Sequence, residues 1–426
     1  MQLFGNKKGG KHSGAPAKKT ETKKAEPETE VMEESIPESA ETAPAAQQTS
    51  SAAEEIIMER KQKKAKKKKA KTILIIIAVI IALIVAVIAA IIVFSKPPET
   101  NNGGIKTNNG EAIEVDHKAG VYTFLVTGVD QISDNTDTIM VGSFDTENHK
   151  LSVVSIPRDT LTNIPHEVKK ANSVYHYAKY YSTQSNSSYY GKDPVDCMRE
   201  GLIENLFGYN VDSYVVVNLD ACADVIDAIG GVDFDVPIDM NYDSKHQDLH
   251  IHIKAGPQKL SGEDFVKIMR FRSGYANADL GRIDTQQKLL KALAKEMISL
   301  GNIPNLNSAL KIIKNNMETN LSFDNMVYFA TEFLKMDFDN INFMTLPQAG
   351  TGSLFGLSYV FVDIDAWLEM LNENFNPYEQ EITTDNVNIV TYSNGTFYST
   401  SGKLAGGVGS FYGNSGSSMP VVKYGK

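Results

Sequence analysis

The run ILIIIAVIIALIVAVIAAIIVF, residues 73–94, carries no charged or polar side chain over 22 positions. As a helix it spans roughly 33 Å at about 1.5 Å per residue, the thickness of a bilayer's hydrocarbon core. No polar face interrupts it, so a buried helix of a soluble domain does not account for it. It is too long for a secretory signal, it starts too far into the chain, and no A-x-A site follows it. The sequence therefore predicts one transmembrane helix, with every other element on one side of the bilayer or the other. Nine basic residues precede it in RKQKKAKKKKAK (60–71), and only Lys96 follows closely. The positive-inside rule places the N-terminus in the cytoplasm and the chain after about residue 95 outside. The basic run should also rest on anionic lipid head groups.

Residues 1–72 are rich in Lys, Glu, Ala, Pro, Ser and Thr and nearly lack aromatics. Such a segment buries too little apolar surface to offset chain entropy and is expected as a disordered cytoplasmic tail. Charge divides at the span. The tail holds 16 basic and 11 acidic residues, net +5, whereas the remainder holds 26 and 41, net −15. An outer part this acidic is a poor nucleic-acid binder, because phosphate polymers are repelled except at a local basic site, and no nucleic-acid partner is expected. Any phosphate site outside must therefore be concentrated. Cys197 and Cys222 both fall in the outer part, where a disulfide is permitted, but sequence gives no distance between them.

Residues 95–119 are Pro, Gly and Asn rich and read as an extracellular stalk. Apolar, β-branched runs then alternate with helical patterns. Strands are expected at 121–128, 137–145, 151–157, 212–219, 232–240, 341–347 and 358–363. Helices are expected at 193–208, 220–231, from Ser261 as N-cap, at 283–300 and at 365–375. The interleaving predicts an α/β domain over 120–377. Residues 378–426 are Thr, Ser, Asn and Gly rich and read as a flexible tail. GGVGSFYG (406–413) lacks the glycine spacing and the strand–helix frame of a dinucleotide loop.

The chemistry concentrates in arginine. Six of the 42 basic residues are arginine, and three of these, Arg270, Arg272 and Arg282, fall within thirteen positions. Lysine suffices for a solvated face, whereas a guanidinium binds phosphate or carboxylate through two parallel hydrogen bonds. Arg158 ends a strand in VVSIPRDT. Arg270 and Arg272 share a face if their stretch is extended. Asp279, Arg282 and Gln286 share a helix face, where a surface salt bridge is the plain alternative. Arg199 sits in an acidic helix as a surface ion pair. Asp130 and Asp137 end one strand and begin the next. Paired carboxylates with open positions suit Mg²⁺, while turn aspartates capping backbone N–H groups are the competing reading, the one adopted for Asp134. His250 and His252 alternate on a strand with no third ligand in register, which favours an exposed strand over a zinc site. No P-loop, nucleophile elbow or H-E-x-x-H is present.

In order along the chain stand GVD…DTIMVGSFD, LSVVSIPRDT, KANSVYHYA, SYVVVNLDACADVIDAIGGVDFDVP, KIMRFR and DLGRIDTQQKLLKAL. Together they resemble the LytR-CpsA-Psr family of cell-wall transferases, densely over 120–300. The resemblance implies a mixed central sheet flanked by helices, with a tunnel for a prenyl chain. It implies a membrane-anchored enzyme that takes an anionic glycopolymer, a teichoic acid or capsule-like polysaccharide, from a polyprenyl-pyrophosphate carrier. The polymer passes to a peptidoglycan hydroxyl through a phosphodiester. Asp130 and Asp137 then correspond to the ligands of Mg²⁺ or Mn²⁺. Arg158, Arg270, Arg272 and Arg282 correspond to the pyrophosphate clamp, with Asp279 and Gln286 orienting it. Lys170 and Asn172 match a Lys-x-Asn stretch beside the head group. The chain departs from the family at Thr136 and Thr162, where an arginine is common. Asp130 and Asp159 are the carboxylates considered as proton acceptor. A pyrophosphatase with the same site and a non-catalytic wall-binding protein are the alternatives. Polymer, acceptor sugar and oligomeric state are not set by the sequence.

Overall fold

The computed structural model describes residues 96–426, apart from 102, 109, 130–135, 186, 188, 190, 218, 246–248, 272–273, 276–277, 300–302 and 426. The expected cytoplasmic tail and the apolar run 73–94 lie outside the described residues. Among the described residues no helix is long and apolar enough to cross a membrane.

Strands β1 (Val121–Val129), β2 (Thr136–Asp145) and β3 (Lys150–Ser155) form an antiparallel meander. Helix α1 (Ser173–Ser182) follows, then a helical segment from Pro194 to Phe207, β4 (Ser213–Val217) and α2 (Leu219–Ala228). Four short strands come next: β5 (Val232–Val236), β6 (Met240–Ser244), β7 (Leu249–Ile253) and β8 (Gly256–Leu260). They lead into α3 (Gly262–Arg270), α4 (Ala278–Ser299) and α5 (Ile303–Asn316). Strand β9 (Glu318–Thr319), α6 (Phe323–Phe333), β10 (Ile341–Thr345), the hairpin β11 (Gln348–Leu354) and β12 (Leu357–Val362), and α7 (Ile364–Asn374) follow. Strands β13 (Val390–Ser393), β14 (Thr396–Ser399) and β15 (Val421–Lys423) close the chain.

The central sheet has six strands in the order β9-β4-β1-β2-β3-β10. Strand β1 is parallel to β4 and β3 is parallel to β10, while β2 runs against both its neighbours. The expected mixed α/β architecture is therefore present. Successive residues of a strand face opposite ways, so Phe124 and Leu125 feed different cores. Leu125, Val141 and Val154 pack with Leu202, Phe207, Trp367 and Phe375 on one face. Phe124 and Phe144 meet Ala294 of α4 and Phe329 of α6 on the other. Gly142 is required by this packing, because a Cβ there would lie 2.3 Å from the Phe124 ring. A separate apolar cluster joins α2, β5–β8, α3 and α4.

Two expectations of loose chain are corrected. Residues 96–119 do not form a free stalk. Ile105 is fully buried, Lys106 N–H donates to Gly208 O at 2.6 Å, and Tyr378 OH donates to Asn101 O at 3.2 Å. Residues 378–425 are folded rather than flexible. Phe397, Val390 and Phe411 are buried in a cluster with Leu161, Tyr359 and Phe361. The polar, glycine-rich composition supplies the turns between these anchors, such as Asn394-Gly395 (φ 49° and 81°) linking β13 to β14. Cys197 and Cys222 are both free thiols.

Candidate active site

The site begins where β3 stops. Pro157 O accepts hydrogen bonds from Thr160 N–H (3.0 Å) and Thr160 Oγ1 (2.6 Å), closing a tight turn with Arg158 and Asp159 at its tip. Asn172, the N-cap of α1, donates its backbone N–H to Arg158 O at 3.0 Å. Its carbonyl accepts from Thr136 N–H at 3.3 Å, so one residue ties the arginine turn to the start of β2. On the other side, Asp159 O accepts from Val360 N–H of β12 at 2.9 Å. The tip is thus fixed by backbone bonds to α1 and β12, and through Asn172 to β2, before any side chain acts.

The side chains continue the pattern. Lys170 Nζ donates to Asp159 Oδ1 at 2.8 Å, and Asp159 Oδ2 lies 3.9 Å from Arg158 Nε. The Lys170 ammonium also stands 5.5 Å from the centre of the Tyr359 ring. A carboxylate bonded to one cation and flanked by another orients both. Asp159 reads as an anchor of this group.

Helix α4 brings the second half. Arg282 is 5% exposed. One turn on, Gln286 Nε2 donates to Met269 O at 2.9 Å, fixing α4 against the end of α3. Gln287 Nε2 bonds Met344 O at 2.8 Å and Thr345 Oγ1 at 2.9 Å, which fixes α4 to β10. Arg158, Arg282 and Gln286 line one cleft whose walls include Met140, Ile156, Ile283 and Leu290. The cleft holds about 20 Å³, room for about one water. Two arginines on a wall of mixed polar and apolar side chains suit an anion.

The match to known proteins follows this geometry. The LytR_cpsA_psr family model covers residues 90–376. The chain belongs to the LytR-CpsA-Psr family. TagV of Bacillus subtilis (strain 168), a polyisoprenyl-teichoic acid–peptidoglycan teichoic acid transferase by name, is 29% identical over 215 residues, 49% of this chain and 51% of TagV. The chain thus spans about half the length of that relative. TagU of Bacillus anthracis, which carries the same activity in its name, is 27% identical over 271 residues, 62% of this chain and 82% of TagU. Protein gbs0355 from Streptococcus agalactiae shares the fold, with a TM-score of 0.50 and 19% identity over 59% of this chain and 86% of that one.

Within this LytR-CpsA-Psr domain, the structure brings Arg158, Lys170, Asn172, Arg282 and Gln286 together by the contacts above. Arg270 is the last residue of α3, adjacent to Met269 in the cleft wall. Arg270 itself is helical, not extended. The chain becomes extended only at Phe271, which is 2% exposed and anchors in the second core. A cation in the last helical turn is favoured by the helix dipole. Arg272 and Asp130 lie outside the described residues, as does Asp134. Asp279 lies in the first turn of α4, but its side chain is outside the described set. The same holds for the Asp137 side chain. Its backbone is the extra residue of a β-bulge, since Gly128 opposes Thr138 and Val129 opposes Thr136. Bulges recur next to active sites.

Thr136 and Thr162, where the family commonly has arginine, are buried and hydrogen-bonded. Arg199 makes its expected ion pair with Asp196 at 3.0 Å and also donates to Val211 O at 2.9 Å.

Sequence reasoning missed Lys169 and its surroundings. Lys169 is fully buried and donates to Ile164 O (2.5 Å), His166 O (3.1 Å) and Ala405 O (2.7 Å). It ties the loop before Lys170 to the C-terminal segment, which lies beyond the family match. Burial pushes its pKa down to about 8. His166 stacks on Tyr177, with ring centres 4.4 Å apart. Burial first, then the Lys169 charge, hold its pKa down to about 4. Neighbouring lysines with opposite fates leave no signal in a single sequence.

Proposed function

We propose that this chain is a membrane-anchored phosphotransferase that moves an anionic glycopolymer from a polyprenyl-pyrophosphate carrier to a peptidoglycan hydroxyl. The reading rests on family membership, on the names of the TagV and TagU relatives, and on one observation above the rest. That observation is the convergence of Arg158 and Arg282 in a cleft walled in part by apolar side chains. A diphosphate needs guanidinium forks, and its prenyl tail needs the apolar wall. The closed cleft is far smaller than a ligand pocket, so binding requires α4 and the sheet to part.

Phosphoryl transfer needs positioning and charge stabilisation more than covalent help from the protein. In this proposal Arg158 and Arg282 bind the diphosphate oxygens, and Lys170 stands at the rim with Asp159 holding it in place. Gln286 fixes the register of α4 through Met269. Asp130 and Asp137 would hold Mg²⁺ or Mn²⁺, since an all-oxygen pair suits such an ion. When bound, it supplies charge neutralisation at the diphosphate. The acceptor hydroxyl attacks the sugar-side phosphorus, the bond to polyprenyl phosphate breaks, and the hydroxyl proton leaves to solvent or a carboxylate. The apolar run 73–94 would anchor the chain with its N-terminus in the cytoplasm and this domain outside.

The test is transfer of labelled polymer from its lipid carrier to peptidoglycan by the purified chain, with and without a chelator. Polymer bound to the wall, with polyprenyl phosphate released, supports the proposal. Free sugar phosphate without wall-bound polymer would assign hydrolysis instead. Lipid binding with no turnover would assign a non-catalytic role.

A further inference from the structure

Strands β6 and β7 pair antiparallel, with Asp243 opposite His250 and Asn241 opposite His252. Along β7, Leu249, Ile251 and Ile253 are buried in the cluster that includes Phe265 and Ile268 of α3. His250 and His252 alternate with them and stand on the exposed face. Asp243 reaches both imidazoles from the neighbouring strand. Its Oδ1 lies 2.5 Å from His250 Nδ1 and 3.3 Å from His252 Nε2. The third ligand that sequence spacing could not supply comes from hairpin register.

We propose that Asp243, His250 and His252 form a site for a divalent transition-metal ion of the zinc class, with a fourth position open to solvent or a further ligand. One candidate ligand atom from each residue lies within 4.8 Å of the other two. Tetrahedral zinc with bonds of about 2.0–2.1 Å to nitrogen and oxygen has ligand–ligand edges of roughly 3.3 Å. The Asp243–His252 separation already has this value. The Asp243–His250 contact is a hydrogen bond that must open by roughly 0.8 Å to reach the same edge, a small rotation for exposed side chains. Two histidines at strand spacing, on a strand whose other face is locked in a core, keep their ligand atoms close to position without the ion. A cross-strand Asp–His ion pair is the plain alternative, but it does not call for a second imidazole on the same carboxylate oxygen. The two-nitrogen, one-oxygen set suits zinc and disfavours Mg²⁺, which prefers oxygen. The site is therefore chemically distinct from the pair Asp130 and Asp137 and stands independently of the transferase reading. A bound ion would clamp β6 to β7 over the core that carries α3.

The experiment uses the full-length chain in detergent, purified without a polyhistidine tag and stripped of metal. Calorimetric titration with Zn²⁺ in excess Mg²⁺ should show about one equivalent bound near neutral pH. His252→Ala and Asp243→Asn should each weaken it by ~100-fold or more, beyond the 10–100-fold typical of losing a supporting contact. Both should melt as the metal-free wild type does. Substitution with Co²⁺ should give the strong visible absorption of a tetrahedral ion, absent from the variants. Zn²⁺ binding unchanged in both variants, or no binding tighter than millimolar, would overturn the site. Should one variant fail to fold, His250→Gln with an intact melting transition gives the same decision.

Discussion

Replacing Arg158 by lysine keeps the charge and removes the fork. The Arg158 side chain is 26% exposed and stands at a turn tip held by backbone bonds to Asn172 and, through Asp159, to Val360. The backbone should therefore hold its place in the variant, and the melting temperature should move little. What changes is the contact with phosphate. An ammonium cannot make the two parallel bonds of a guanidinium, and its shorter reach sets it back from the cleft. Losing one charge-assisted bond costs ~1.5–3 kcal/mol. At about 1.36 kcal/mol per tenfold change, that is a fall in kcat/KM of roughly 10- to 150-fold. The assay is single-turnover release of polyprenyl phosphate from a lipid-linked glycopolymer, alongside thermal melting of the same samples. Arg199→Lys serves as control, because its guanidinium serves Asp196 and Val211 O and does not line the cleft. Turnover of Arg158→Lys within about threefold of wild type, at equal melting temperature, would refute the fork as the reason for arginine here.

Further expectations concern the loop and the C-terminal segment. Phe397→Ala removes a fully buried ring from the C-terminal cluster and should cost ~3–5 kcal/mol; denaturant unfolding and protease sensitivity of residues 379–426 read it, and no change would contradict that segment as part of the fold. His166 has its folded pKa lowered to about 4, below the unfolded value near 6.5. The stability linked to it is present above about pH 6.5 and lost as pH falls through about 4. His166→Phe should keep the stacking and flatten this acid loss, and parallel pH–melting curves for the two proteins would dismiss the linkage. Lys170→Ala frees Asp159 from its 2.8 Å partner and should raise KM for the lipid substrate more than it lowers kcat; unaltered kinetics would remove Lys170 from the site.

The central sheet was legible because its strands are local, apolar and bounded by turn residues. The helix from Ser261 was legible from its cap, which the structure confirms through the Asp264 N–H bond to Ser261 Oγ at 3.2 Å. Arg158 and Arg282 stand out in the sequence by the scarcity of arginine and by their places at a strand end and on a helix face, and the cleft joins them. The C-terminal segment was misread because its stabilising partners, Leu161, Tyr359 and Phe361, are distant in sequence. The Asn394-Gly395 turn was a visible hairpin signal within it. Lys169 was missed for the same reason, since Ala405 O lies 236 positions away. Asp243 could not be joined to His250 without the register of the hairpin. Side-chain partners brought together by tertiary folding are the part that local periodicity does not encode.

The most direct test of the account is a crystal structure of the chain after residue 95 with a short-chain prenyl diphosphate. The account predicts both phosphates between Arg158 and Arg282, with the prenyl tail running along Met140, Ile283 and Leu290 and α4 displaced from the sheet. A diphosphate bound at another surface, with this cleft still closed, would contradict it.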